Sequence, residues 1–228
     1  MIKKIVFLII TTLFMVTGVY AEDSRWVWVD SDSTRSIYID KQTIDWDESA
    51  NVITFWSKTT TLSGEEWLSQ RKVSLDYKMI GTLAFESNSP DAGRKRKTFS
   101  PVKYYPIWID STTEKEVNAV CDELHLAPIW GTKTHNWKWI KSTSEDNYFI
   151  CTDAFCYYGQ DVYGVFAKTT WEGSKGHMIG KELYFINFNT RRIKRYNSHA
   201  AAYVIAPDSV EEAIFNEAKK IVNGNENS

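Results

Sequence analysis

Apolar and polar residues alternate with a period of two over most of this chain, and in two places the period lengthens to three or four. Trp26-Val27-Trp28-Val29 and Ser36-Ile37-Tyr38-Ile39-Asp40 are short β-rich runs. Asp30-Ser31-Asp32-Ser33 between them has the composition of a turn, so the two runs predict a hairpin. Val52 to Thr61 predicts the next strand. After a break at Ser63-Gly64, Trp67 to Lys78 resumes the alternation at Val73, Leu75 and Tyr77. Leu83 to Phe85 predicts a further short strand, and Asn88 to Gly93 a loop. The period then changes. Ser111-Thr112-Thr113-Glu114 has the pattern of a capping box, in which a hydroxyl and a carboxylate satisfy the first amides of a helix. Val117, Val120, Cys121 and Leu124 follow on one helical face. Pro207-Asp208-Ser209 introduces a second helix with an apolar stripe at Val210, Ala213, Ile214, Ala218 and Ile221, and Gly224 predicts its stop. With Thr112 and Ser209 as equivalent caps, Cys121 corresponds to Ala218.

The two stretches repeat each other. Arg25-Trp26-Val27-Trp28-Val29 returns 111 residues later as Asn136-Trp137-Lys138-Trp139-Ile140. Ser31, Ser33 and Ile39 fall on Ser142, Ser144 and Ile150. After a one-residue slip, Val52, Lys58, Thr59 and Thr60 fall on Val162, Lys168, Thr169 and Thr170. Such self-similarity predicts two copies of one unit. The expected fold is α+β: two tandem modules, each an antiparallel β-sheet covered by one C-terminal α-helix. The modules span 22–124 and 136–224, with a linker over 125–135 and a tail over 225–228. Leu126, Ile129 and Trp130 predict a linker that packs. Trp26 and Trp28 share one face of a strand, as do Trp137 and Trp139. The pairs predict core packing beneath the helices, with an exposed aromatic strip as the alternative.

The first 21 residues stand outside this pattern. Lys3 and Lys4 precede an apolar run from Ile5 to Val19, and Val19-Tyr20-Ala21 is a small-x-small cleavage site, so a signal peptide cut after Ala21 is expected. A membrane span needs about 20 apolar residues, and no such segment is expected after cleavage. Removal of Lys3 and Lys4 takes the formal charge from −2 to −4. That balance argues against nucleic acid as a partner. Export exposes three cysteines to oxidation. Cys151 and Cys156 are a possible disulfide, a bridge from Cys121 to either is the competing arrangement, and one thiol is left over.

Little in the chain looks catalytic. The four histidines, His125, His135, His177 and His199, form no metal-ligand pair at helical spacing. Asp30-Ser31-Asp32 resembles a calcium loop, but Lys41 stands where the bidentate glutamate is required. No catalytic residue, cofactor or metal site is expected. Two basic clusters are more informative. Arg94-Lys95-Arg96-Lys97 follows the loop of the first copy. Arg191, Arg192, Lys194 and Arg195, followed by Tyr196, lie on a strand or turn of the second and form the candidate binding patch. On an acidic protein either cluster could engage an acidic glycan, an anionic surface or an acidic protein. A solvated edge that blocks strand pairing is the plainer reading.

The order of features resembles the bacterial surface-adhesin protein E family. The resemblance rests on the opening aromatic strands, on Tyr38-Ile39-Asp40, and on the entry to a terminal helix at Ile205-Ala206-Pro207-Asp208-Ser209, with a looser form at Ile109-Asp110-Ser111-Thr112. It implies an antiparallel sheet with a C-terminal helix on its concave side, and host-protein binding at a bacterial surface. The family ties its helix to the sheet by a disulfide. Cys121 stands at the helix position, but no cysteine stands near Asp76-Tyr77, and the second copy carries Ala218 and Asn187-Phe188. The expected function is an exported, non-enzymatic binding protein contacting host proteins or acidic glycans. A periplasmic accessory role is the alternative, and an exported hydrolase the third reading.

Overall fold

The structure is a computed structural model that describes residues 25–89, 93–173 and 176–225. The expected signal peptide lies outside the described residues, as do Pro90 to Ala92 of the expected loop, Ser174-Lys175 and the last three residues of the tail. No helix of the described chain is long and apolar enough to cross a membrane.

The alternation builds two antiparallel sheets. The first comprises β1 (Trp26–Ser31), β2 (Arg35–Asp47), β3 (Val52–Thr61), β4 (Glu66–Ser74), β5 (Met79–Ser89) and β6 (Gly93–Thr98) in sequence order, with β7 (Tyr104–Pro106) pairing on β5. Helix α1 (Thr112–Glu123) follows. The second sheet runs β8 (Trp137–Ser142), β9 (Asp146–Tyr157), β10 (Val162–Gly173), β11 (Gly176–Asn187), β12 (Arg192–Arg195) and β13 (Tyr203–Val204), again in chain order. Helix α2 (Val210–Asn225) closes the chain. The α+β expectation is corrected: 54 % of the described residues are strand and 14 % helix, so the described chain is mostly β. The sequence had hidden strands. The basic run 94–97 is β6, and the long run to Lys78 breaks after Ser74 into a turn with Lys78 at φ 52°.

The chain divides into two compact units that interleave along the sequence. Among the described residues, the first comprises 25–73, 80–89, 93–105 and 115–125; the second comprises 74–79, 106–114, 126–173 and 176–225. In the first unit, Ile37 and Ile39 on β2 and Ile53, Phe55 and Ser57 on β3 are buried on one face. Helix residues Val117, Val120 and Cys121 are buried too. Lys115 reaches Asp30 at 2.8 Å, and Asp30 pairs with Ile37 in the sheet, which places the helix on the Ile37 side.

In the second unit, Ile214, Phe215 and Ala218 of α2 pack on Ile150, Val165, Ala167, Tyr184, Ile186 and Ile193. Each fully buried large side chain contributes about 1.5–3 kcal/mol. The opposite face of this sheet is aromatic. Phe166 meets Trp108 and Trp130 edge-on, with ring centroids 5.7 and 5.5 Å apart, and Tyr158 meets Phe185 at 5.3 Å. Trp130 of the expected linker is thus part of the core.

Both helices start alike. Ser111 Oγ accepts from Glu114 N at 3.1 Å, and Ser209 Oγ accepts from Glu212 N at 3.0 Å. Each glutamate reaches back to the amide of an aspartate, Asp110 at 2.6 Å and Asp208 at 2.8 Å. Both aspartates have positive φ, 54° and 60°. The cap is therefore Ser111, not Thr112, and Val120 rather than Cys121 corresponds to Ala218. Gly224 lies inside α2.

The repeat is written into the pairing. β1 bulges on β2 between Trp28 and Asp30, and β8 bulges on β9 between Trp139 and Lys141. Lys58 lies over Trp26 and Tyr38 (4.6 and 5.2 Å to the ring centroids), and Lys168 over Trp137 and Phe149 (4.7 and 4.8 Å). The tryptophans do not pack beneath helices. They lie on the sheet face opposite each helix, and Trp28 and Trp139 are 59 % and 56 % exposed.

Candidate functional site

Strand alternation splits the candidate patch of the second unit. Arg191, in the turn before β12, pairs with Glu212 at 2.8 Å and lies over the Phe215 ring. Arg195 meets Glu182 at 3.3 Å and Glu211 at 3.5 Å, and lies over Tyr184. Ile193 between them is core, so both arginines lie on the side of α2 with their charges matched. Arg192 and Lys194 occupy the other face with Tyr196, whose ring packs between Trp108 and Phe185 at 6.1 and 6.0 Å. The residues named together in the sequence thus do not form one surface.

The other basic run does. All six residues of β6 are exposed, and β6 is an edge strand. Arg94 and Arg96 point to buried Glu86 and pair with it. Lys95 and Lys97 point the opposite way, and among the described residues no carboxylate pairs with either. Lys97 sits 5.0 Å above the Phe99 ring and opposite Phe85 in the register. Phe85, Phe99, Arg71, Lys103 and Tyr105 line a hollow of about 400 Å³ beside it. Lys103 lies 5.2 Å over Tyr105, which is 47 % exposed. Lys97 and Lys103 therefore each lie over an aromatic ring on this rim, and of the three rings Tyr105 is the exposed one.

A second constellation is buried in the second unit. The register pairs Trp137 with Cys151, which brings the residues preceding β8 alongside the middle of β9. Cys151 Sγ donates to Asp153 Oδ1 at 3.1 Å. His135 Nδ1 lies 3.4 Å from the same oxygen, and its Nε2 lies 2.7 Å from Glu114 Oε1. The His135 side chain is fully buried. Asp153 Oδ2 accepts from Asn136 N and Nδ2, both at 2.9 Å. Lys181 pairs with Asp110 at 2.5 Å nearby. Burial pushes the Cys151 thiol up to about 12, so it is a poor nucleophile. Burial also raises the Glu114 carboxyl against the opposing pull of His135. At Asp153 burial acts upward but is outweighed by the Cys151 and Asn136 hydrogen bonds, and the carboxyl is lowered. Burial and Lys181 lower the Lys168 ammonium.

Cys151 and Cys156 are not bridged to each other. Both sit on β9, either side of a bulge that sets residues 151–154 against the single residue Phe166 of β10. Cys156 Sγ donates to the Asp76 carbonyl at 3.5 Å. His135, Glu114 and Asp153 were not legible as a group, because no helical spacing links them: the β8–β9 register brings His135 to Asp153, and Glu114 reaches them from the start of α1.

No family model matches the chain, and no curated protein or solved structure matches it. The protein E resemblance rests on the sequence features alone.

Proposed function

We propose that the protein is an exported, non-enzymatic binding protein whose first unit takes acidic glycan chains along β6. One observation carries this reading: Lys95 and Lys97, unmatched by described carboxylates, stand on a fully exposed edge strand beside the Phe85–Phe99–Tyr105 hollow. Cations attract sulfate or carboxylate groups, and aromatic faces stack on the apolar faces of sugar rings. The candidate patch of the second unit supports it less well, because Arg191 and Arg195 already pair with Glu212, Glu211 and Glu182. Export rests on the charged and apolar leader, and a surface location on the protein E resemblance.

Titration of the protein with heparin, a sulfated polysaccharide, at low and high salt tests the proposal. Binding is expected to weaken with salt. Lys95→Glu with Lys97→Glu is expected to weaken it by about tenfold or more, near 1.4 kcal/mol per tenfold. Arg192→Glu with Lys194→Glu is expected to leave it within about twofold. Equal loss in both variants, or binding insensitive to salt, contradicts the proposal.

A further inference from the structure

The buried constellation brings three kinds of metal-ligating atom together, a thiol sulfur, an imidazole nitrogen and a carboxylate oxygen. Cys151 Sγ, His135 Nδ1 and Asp153 Oδ1 all lie within 4.8 Å of one another. A tetrahedral Zn²⁺, with bonds of about 2.0 Å to nitrogen and oxygen and about 2.3 Å to sulfur, sets its ligand atoms roughly 3.3–3.5 Å apart. The sulfur–oxygen and nitrogen–oxygen separations, 3.1 and 3.4 Å, are close to those edges.

The surroundings point the same way. A metal-bound histidine characteristically gives its other ring N–H to a carboxylate, which fixes the tautomer and the ring. His135 Nε2 faces Glu114 Oε1 at 2.7 Å, and the other oxygen of Glu114 accepts from Asp110 N at 2.6 Å. Asp153 is oriented in the same manner. Its Oδ2 is held by two donors from Asn136, which turns Oδ1 toward the thiol and the imidazole. The repeat supplies a contrast. In the first unit, Arg25 and buried Asp40 occupy the positions equivalent to Asn136 and Cys151 and form an ion pair at 2.6 Å. The second unit places a thiol there instead, among ligands of mixed softness suited to zinc.

We propose that Cys151, His135 and Asp153 form a binding site for a zinc-class divalent cation, with Glu114 and Asn136 orienting the ligands. Binding replaces the Cys151 S–H bond with a sulfur–metal bond and releases that proton to solvent. The Asp153 side chain, 22 % exposed, is the open side of the site and leaves a fourth position for water.

Cobalt(II) titration of the reduced, chelator-treated full chain tests this. The expected result is one cobalt per chain, with a thiolate-to-cobalt charge-transfer band in the near ultraviolet and displacement by zinc. Cys151→Ser is expected to remove the band and Cys156→Ser to retain it. Glu114→Gln is expected to weaken zinc binding about 10- to 100-fold. The spectrum of the unaltered protein decides even if a variant fails to fold. A chain that binds no cobalt, or binds it without a thiolate band, overturns the proposal. Binding that survives Cys151→Ser overturns it as well, placing the cation with Asp110, Glu114 and His135.

Discussion

Two side chains show how local physics is set against burial in the first unit. Glu116 is 3 % exposed and its Oε2 has no hydrogen-bond partner. Arg71 is its ion partner, but at 3.8 Å, and Arg71 is also held by Thr82 at 2.9 Å. Burial raises the Glu116 carboxyl above 4.5 against the pull of Arg71 and Arg35. The folded chain therefore keeps a proton that the unfolded chain loses above 4.5. Stability falls as pH rises through that window and levels off above the folded value. Removal of one partner from a tight buried pair usually destabilises. Here the pair is long and Arg71 keeps both solvent access and Thr82, so the desolvation cost dominates. Glu116→Gln is expected to stabilise the protein at neutral pH by about 1–3 kcal/mol and to flatten the pH slope of its melting temperature. A less stable variant at neutral pH contradicts this. Gly81 is limited by space instead. A Cβ there would stand 2.5 Å from Val102 Cγ1 and 3.1 Å from the Lys103 carbonyl. Gly81→Ala is expected to cost about 1–3 kcal/mol in denaturant unfolding, because backbone must move.

At the scale of elements, the helix starts were the most legible feature. Ser-x-x-Glu is local chemistry, and both boxes form where the motif stands, although the hydroxyl that caps α1 is Ser111. Ser209→Ala is expected to cost about 1 kcal/mol by thermal unfolding, since Glu212 N loses its acceptor. The opening hairpins were legible too, because alternation and turn residues agree. The count of strands was not. β6 is entirely polar and carries no alternation, so nothing in its residues announces pairing with β5. The face of the tryptophans was misjudged for a related reason: a period of two says which residues share a face, but not which face meets the helix. The His135–Asp153 contact depends on hairpin register across 18 residues, and register is a property of pairs of strands.

At the scale of the molecule, the duplication gave two sheets with the same bulges and the same lysine-over-tryptophan contacts, while polar positions diverged. One unit presents a cationic edge beside a hollow lined by Phe85, Phe99 and Tyr105. The other buries a thiol, an imidazole and carboxylates. Mass spectrometry of protein recovered from the cells that make it is expected to give a chain starting at Glu22, and an intact Met1 contradicts export by a cleaved leader. The most direct measurement of the binding account is an amide NMR titration of the isotope-labelled protein with a short heparin fragment. The account predicts shifts in Gly93–Thr98, Phe99 and Tyr105 that reverse with salt. Shifts centred on Arg192–Arg195, or none anywhere, would contradict it.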